Sequence, residues 1–359
     1  MVRTPSRSYV RYLLLFFVVQ FTYAPEALVA DDVLTLETVT EPEAFDPDEP
    51  LAESFSSLQA ARALDQAALH WQKKRQCGTC HTNFAYLMAR PALNSIRPTA
   101  PEVRPFFEDM VTRRWKEKGP RWDAEVVAAA VTLALNDRQT TGALHPVTRQ
   151  ALDRMCSLQA EDGGWDWLKC GWPPMESDDH YGVTFAAVGL GSAPSDYAHT
   201  AAGEAALEGV RKYLRVHPAP SLHHRAMLLW ASTVVGGLLD HDARQPILAE
   251  LFAKQRPDGG WAIAGLFADW SDHTRKDDEP QDTTSSDGYA TGFVIYIARQ
   301  VGVPADDLRL VRGLQWLKKN QRSSGRWFTP SPTKDSKHFI SNAGTAFAAL
   351  ALHSCNALD

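Results

Sequence analysis

The chain has 359 residues, of which 44% are hydrophobic and 22% are charged, and its formal net charge is -6 at pH 7. A chain of this length can bury a sizeable core, and the composition is that of an ordinary globular protein. A small negative net charge gives the protein no general electrostatic attraction for nucleic acid or for anionic lipid. We therefore expect no nucleic-acid partner.

The amino-terminal residues 1–30 have the pattern of an export signal. Three arginines precede the apolar run LLLFFVVQF, and the small-residue segment ALVA ends at Ala30. The run is short for a bilayer span, so we expect cleavage near Ala30 and a periplasmic or other extracytoplasmic location. An uncleaved anchor is the alternative, and a peripheral membrane contact stays open. Residues 31–52 are acidic and contain prolines, which predicts a disordered linker, and residues 53–359 are expected to form a single domain.

Three stretches then repeat the pattern Q-x3-G-x-W. They are QAEDGGW from Gln159, QRPDGGW from Gln255 and QRSSGRW from Gln321. Each follows a stretch with apolar residues three and four positions apart, and each precedes another such stretch that starts with a capping Ser or Asp. Glycine lets the backbone leave a helix with positive φ, the Trp can pack over the reversal, and the Gln amide can bond backbone groups that the turn leaves unpaired. The repeating unit is therefore helix, turn, helix.

The second helix of each unit is the more apolar one, so we place it inside and the charged helix outside. About twelve helices in six hairpins fit the chain, and six hairpins can close into a ring. The predicted fold is all-α, an α/α toroid.

The Q-x3-G-x-W repeats, the helix pairs and the Asp-x-Tyr starts of the inner helices resemble the terpenoid cyclase and prenyltransferase superfamily, above all the squalene–hopene cyclase repeat. The resemblance covers residues 55–357 and implies a toroid with an apolar central cavity. In the cyclases that cavity holds an isoprenoid chain, and in protein prenyltransferases it holds a prenyl diphosphate beside a zinc. The implied partner is an apolar small molecule, isoprenoid in kind. Because a fold does not fix a function, a non-enzymatic exported binding module is also consistent with it.

The stretch RQCGTCHTNFAY places Cys77, Cys80 and His81 in a CxxCH motif. Aligned with WLKKNQRSSGRW, it occupies the slot of a fourth Gly-Trp turn, which predicts a hairpin tip with an inner helix that begins at about His81. In c-type cytochromes the two thiols add to haem vinyl groups and the His binds the iron, and attachment takes place outside the cytoplasm. Motif and export signal together predict a bound haem c and a redox partner.

Two other uses of the motif stay open. Cys77, Cys80 and His81 could hold a zinc ion with a fourth ligand from elsewhere, or the two cysteines could form a disulfide or cap a helix as free thiols with no cofactor. For a haem, the sequence does not determine the sixth iron ligand. Met88 lies on the same helix as His81, too near to reach across a haem plane. The remaining candidates are an open position or one of Met175, His180, His223 and His224. An open position would permit small-molecule binding, and a filled one would favour electron transfer.

A second candidate site is the acidic segment ESDD, residues 176–179. It resembles the D-x-D-D motif of protonation-initiated terpenoid cyclases, with Glu176 in place of the first Asp. If the family role carries over, Asp178 is the general acid, and Glu176 and Asp179 support it. Asp287 recurs at the equivalent helix start without a partner acid, which favours helix capping instead. Aromatic residues are expected to gather at the hairpin tips, where they stabilise carbocations in a cyclase or pack the turns: Trp165, Tyr181, Trp261, Tyr289 and Trp327.

The sequence thus predicts an exported toroid that binds haem c and has a redox or sensor role, acting on an apolar ligand in the ring. If it is an enzyme, it is a haem-dependent oxidoreductase. A terpenoid cyclase or isomerase with Asp178 as the acid is the alternative, and a binding module without catalysis is the third reading.

Overall fold

The computed structural model describes Met1 and residues 33–268, 275–334 and 338–359. The predicted export signal lies outside the described residues. The described chain contains helices joined by turns and forms no β-sheet. The helices are α1 (Ser57–Arg75), α2 (Asn83–Ala89), α3 (Val103–Asp109), α4 (Trp115–Lys118), α5 (Asp123–Thr140), α6 (Pro146–Ser157), α7 (Asp179–Ser192), α8 (Ala201–Val216), α9 (Leu222–Val234), α10 (His241–Ala253), α11 (Gly288–Gln300), α12 (Leu308–Lys319) and α13 (Ile340–Ser354). In this part of the chain no helix is long and apolar enough to cross a membrane.

The helices form two concentric layers. The inner layer consists of α2, α5, α7, α9, α11 and α13, each in contact with the next, and α13 returns to α2. The inner helices are buried on nearly all sides, whereas outer helices such as α8 and α12 bury one face. This arrangement confirms the prediction of an α/α toroid built from helix hairpins. The outer helix of the second hairpin, which sequence reasoning did not assign, is α3 continued through a wider turn, Met110–Arg114, into α4.

The three Gln-Gly-Trp turns have the predicted chemistry. Each Gln donates its amide N–H to the carbonyl of the Gly four residues later, at 2.9, 2.9 and 3.1 Å for Gln159, Gln255 and Gln321. Each buried Trp donates its indole N–H at 2.8 Å to a carbonyl ten residues earlier, in the last turns of the preceding outer helix. At Gly163, where φ is +93°, an added Cβ would lie 2.0 Å from the carbonyl oxygen of Gly209. The turn therefore requires glycine at this position.

The ring closes between its first and last hairpins. The side chain of Gln321 accepts a hydrogen bond from the backbone N–H of Ser56 at 2.7 Å and donates to the carbonyl of Ser56 at 2.9 Å. The ring of Phe55 lies 6.2 Å from that of Trp327. The repeat motif of the last hairpin thus anchors the start of the first.

Residues 33–52 differ from the predicted disordered linker, because they pack on the ring. The backbone N–H of Leu36 donates to Glu102 at 3.1 Å, and Arg326 donates to the carbonyl of Glu43 at 2.9 Å and pairs with Glu49 at 3.2 Å. Arg326 stands where the other two turns have glycine. The mostly buried guanidinium of Arg326 therefore binds this acidic segment, an interaction that composition alone does not predict.

Candidate functional site: the CxxCH hairpin tip

The CxxCH residues lie at the tip between α1 and α2, as predicted, although α2 begins at Asn83 rather than at His81. The side chain of Asn83 accepts from the N–H of Thr79 at 2.9 Å and donates to the carbonyl of Cys77 at 3.1 Å. An added Cβ at Gly78 would lie 2.4 Å from the ring of Phe84. The hydrogen bonds of the Asn83 side chain and the close packing of Phe84 on Gly78 therefore fix the path of the loop.

Short helix α2 is anchored by a buried ion pair. Asp65 on α1 accepts from Arg90 at 2.8 Å and from the hydroxyl of Tyr86 at 2.9 Å, and both Asp65 and Arg90 are fully buried. Arg90 also donates to the carbonyls of Arg97 and Pro98, at 3.0 and 2.8 Å. A buried pair of this kind resists separation, since removal of one partner leaves an uncompensated charge. The pair therefore fixes the carboxyl-terminal end of α2 against α1, while the cysteines lie in the loop before α2.

The imidazole of His81 lies between aromatic rings. Its centroid is 5.1 Å from that of Trp71, edge-on, and 5.5 Å from that of Phe339, stacked. Burial lowers the pKa of His81 to about 3, so the ring is neutral. Its Nδ1 is 2.8 Å from the hydroxyl oxygen of Thr82. Among the described residues Nε2 has no hydrogen-bond partner, so a neutral ring nitrogen is left to act as a ligand.

His81 lines a small pocket of about 40 Å³, which we call the tip pocket. Its other walls come from the loop between α6 and α7 and from the residues before and at the start of α13: Trp172, Pro173, Pro174, Met175, Glu176, Ser331, Pro332, Thr333, Phe339 and Ile340. Most of these side chains are apolar. Burial raises the pKa of Glu176 to about 7, so its carboxyl group is partly protonated near neutral pH.

Cys80 lines a second, small cavity of about 20 Å³ in the middle of the ring, which we call the ring cavity. Its walls are mostly apolar and aromatic: Phe84, Ala85, Met88, Ala128, Thr132, Met175, Tyr181, Phe185, Trp230 and Phe347. Burial raises the pKa of the Cys80 thiol, and the nearby Glu176 and Cys170 raise it further, so the thiol is protonated. Cys77 is half-buried and, like the other cysteines, forms no disulfide.

The zinc alternative gains no support from this geometry. Within the described ranges, no group of three or more His, Cys, Asp or Glu side chains is placed to hold a metal ion. Cys80 and His81 are adjacent in sequence but line different cavities. A tetrahedral ion needs its ligands converged on one point.

The three carboxylates of ESDD point to three different partners. Asp178 caps α7 by accepting from the N–H of Tyr181 at 3.1 Å, and its other oxygen lies 3.0 Å from Nε2 of His224. Asp179 pairs with Lys169 at 2.7 Å, and Glu176 lines the tip pocket. Burial raises the pKa of Asp178, but His224, the N–H of Tyr181 and His180 together lower it more, and the net shift is downward. That environment stabilises the carboxylate and gives no support to Asp178 as a proton donor.

The histidines His180, His223 and His224 form a packed cluster between inner helices. The Nε2 of His223 lies 2.9 Å from the hydroxyl of Tyr289, and its ring stacks on Phe293 at 4.6 Å. The Nδ1 of His224 lies 2.7 Å from the hydroxyl of Ser221. Burial lowers the pKa of His180 to about 4 and that of His223 well below its ordinary value, so both rings are neutral. None of the three lines the tip pocket or the ring cavity.

The aromatic residues divide into two groups. Trp165, Trp261 and Trp327 are buried in their turns and donate to helix carbonyls, so they serve the fold. Tyr181 lines the ring cavity, and Tyr289 is buried against His223. Of the two uses expected for these aromatic side chains, the three Trp residues have the turn-packing one, and Tyr181 alone among the five lines the ring cavity.

Comparison with solved structures places the fold among α/α toroids. A glycosidase variant in complex with glucose superposes with a TM-score of 0.57 at 11% identity, covering 84% of this chain and 98% of that chain. A polysaccharide lyase superposes with a TM-score of 0.50 at 12% identity, covering 83% and 96%. The ent-copalyl diphosphate synthase from Streptomyces platensis gives a TM-score of 0.47 at 17% identity over 75% of this chain and 50% of that one, and we draw nothing from it.

No protein-family model matches the sequence, and no curated protein matches it either. At these identities the structural likeness establishes the fold alone. The chain is therefore an α/α toroid protein whose activity has to be argued from its own residues.

Proposed function

We propose that this protein is an exported haem c protein built on an α/α toroid, with a one-electron redox or sensor role. The observation that carries the proposal is His81, a neutral imidazole with its Nδ1 hydrogen bonded, Nε2 without a partner and a mostly apolar pocket beside it. Iron-binding histidines typically have their second ring nitrogen held by such a hydrogen bond. The CxxCH motif supplies the covalent part of the same site.

The residues suit the attachment chemistry. Cys77 and Cys80 are free thiols. Each thiol would add across one vinyl group, forming a carbon–sulfur bond while its hydrogen goes to the other vinyl carbon, so no oxidant is consumed. A bound haem supplies an iron that cycles between two oxidation states. His81 would bind that iron, and Thr82 would fix the orientation of the imidazole.

The surroundings of His81 suit a redox site more than an open metal centre. Trp71 and Phe339 flank the imidazole and limit the access of water. Solvent exclusion and low polarity are among the means by which a protein sets the potential of a haem. Such a site needs a redox partner, and its attachment chemistry is consistent with the export signal in residues 1–30.

An apolar ligand for the ring is part of the proposal. The ring cavity has about 20 Å³ of free space, little more than one water molecule needs, so a bound ligand requires the side chains that line it to move apart. Its aromatic walls suit a compact apolar molecule, a short isoprenoid in kind, better than a long triterpene chain.

The test is expression with its signal in a host that attaches haem to exported CxxCH proteins. The expected result is a haem absorption band that changes on reduction with dithionite, and haem staining that survives a denaturing gel. Cys77→Ser/Cys80→Ser should lose the covalent haem, while the matched control Cys156→Ser should keep it. A wild-type protein that is folded by circular dichroism but colourless would overturn the proposal.

A further inference from the structure

The roomier cavities that involve the amino-terminal segment lie outside the ring, where residues 40–45 pack against α1 and the start of α13. This segment encloses two adjoining pockets with about 400 and 460 Å³ of free space. Both are lined by residues 41–43, by Ala67 of α1 and by Asn342 of α13, so they form one cleft, which we call the strap cleft. Each pocket is large enough for a small-molecule ligand without any movement of its walls.

The charges around the strap cleft balance. The ionised side chains of its lining are two acidic and three basic ones: Glu41, Glu43, Lys74, Arg75 and Arg326. Lys74 pairs with Glu41 at 2.6 Å, and Arg326 pairs with Glu49 at 3.2 Å. Glu49 lies outside the lining and brings the set to three acids and three bases. Burial lowers the pKa of His70, which also lines the cleft, so its imidazole is neutral near pH 7. The cleft thus has no excess charge that would select an ionic ligand.

The uncharged part of the lining differs between the two pockets. One pocket has three aromatic rings: Phe45, Trp71 and Phe339. The other has amide and hydroxyl groups: Thr40, Gln66, Ser323, Ser324 and Asn342. The aromatic faces suit apolar C–H groups, and amides and hydroxyls can each both donate and accept hydrogen bonds. A ligand that matches the whole cleft therefore has apolar faces and many hydroxyl groups.

Asn342 offers the cleft an acceptor that no protein group uses. The residue is only 7% exposed, and its Nδ2 donates to the hydroxyl oxygen of Thr82 at 3.1 Å, which fixes the orientation of the amide. Its Oδ1 accepts no hydrogen bond from the described part of the chain. Polar atoms of buried side chains are normally hydrogen bonded, so this oxygen is available to a donor bound in the cleft.

We propose that the strap cleft is a binding site for a neutral oligosaccharide, whose sugar rings pack on the aromatic side chains while their hydroxyl groups bond to the amide and hydroxyl groups beside Asn342. Sugar rings have apolar C–H faces and hydroxyl edges, the combination that this lining matches. The site does not depend on a haem, because neither the cysteines nor the imidazole of CxxCH line it.

The experiment measures binding of three neutral trisaccharides, cellotriose, maltotriose and chitotriose, to the full chain by titration calorimetry, with trigalacturonic acid as the charged counterpart. Ala67→Leu is the blocking variant, because Ala67 lines both pockets and the larger side chain fills their junction without removing a hydrogen bond. Ala205→Leu, at an exposed position of α8, is the matched control. At least one neutral trisaccharide should bind the wild type and the control, and Ala67→Leu should weaken that binding about tenfold or more. Hydrogen exchange of residues 40–45 should slow when the sugar is bound.

Three results would overturn the inference. The first is no binding of any neutral trisaccharide up to about 10 mM. The second is tighter binding of trigalacturonic acid than of the neutral sugars. The third is unchanged affinity in an Ala67→Leu variant that is folded by circular dichroism, which would place the sugar elsewhere. If Ala67→Leu does not fold, Gln66→Ala decides in its place, since it removes an amide of the lining from the half-buried rim, and unchanged affinity there counts against the site in the same way.

Discussion

Replacing Gln321 by Ala should open the ring at its seam. The Gln321 side chain makes three hydrogen bonds, with the N–H of Ser56, the carbonyl of Ser56 and the carbonyl of Gly325. The residue is 1% exposed, so water cannot replace the lost amide without a change of structure. Each lost bond costs about 1 kcal/mol in the free energy of unfolding, and the total should be about 3 kcal/mol.

Gln255→Ala is the matched control, because Gln255 occupies the same position in its turn and makes two such bonds, with the carbonyls of Gly259 and Arg309. Its loss should be about 2 kcal/mol. Urea unfolding followed by circular dichroism measures both values. Hydrogen exchange locates the damage, since only Gln321→Ala should speed exchange of the Ser56 amide at the start of α1.

A loss below 1 kcal/mol for Gln321→Ala would refute this reasoning. Equal exchange rates at Ser56 in the two variants would do the same. Either result would mean that packing between α1 and α13, rather than the Gln321 bridge, joins the first hairpin to the last.

Two further predictions concern single side chains. Asp178→Ala should lose about 1 kcal/mol more stability than Asp178→Asn, since Asn also caps a helix. The pKa of Asp178 is lowered from its ordinary 3.8, so its charge contributes stability above about pH 4 that is lost as the pH falls through the lowered pKa. The urea midpoint of the wild type should exceed that of Asp178→Asn at pH 7, and the difference should shrink as the pH falls below about 4; a difference that does not change with pH would contradict this. Arg326→Gly restores the residue found in the other turns and removes the bonds to Glu43 and Glu49. It should speed proteolytic cleavage within residues 33–52 about tenfold, since charge-assisted bonds of this kind are worth about 1.5 kcal/mol or more; an unchanged rate would show that other contacts hold the segment.

The fold was predictable because its signal is repeated and local. A Gln, a Gly and a Trp at fixed spacing have one physical use, and the structure gives all three copies the same hydrogen bonds. The sequence does not predict α3 and its continuation α4, because no Q-x3-G-x-W turn follows them. Composition predicts disorder for residues 31–52. The described part of this segment contacts Arg326, which is so far away in the sequence that local composition cannot reveal it.

The sequence predicts the motif of the candidate site but not the surroundings of its side chains. The sequence located Cys77, Cys80 and His81 at a hairpin tip, but three-dimensional contacts decide which cavity each side chain lines. The same holds for the ESDD acids: adjacency suggests one acidic centre, whereas Glu176 lies in the loop before α7, Asp178 caps the helix and Asp179 begins it, so each carboxylate has a different neighbour.

The CxxCH tip differs from the other tips in a way that bears on its purpose. Gln76 is exposed, and its side chain donates to the carbonyl of Lys73 on its own helix rather than to a neighbouring hairpin. The position of the turn Trp is taken by Thr82. The anchoring falls instead to the buried Asp65–Arg90 pair and to Asn83. Because the two thiols of CxxCH form no disulfide, the tip does not depend on a bond between them. Cysteine variants should fold, and the loss of haem in them would report on the chemistry of the site and not on the ring.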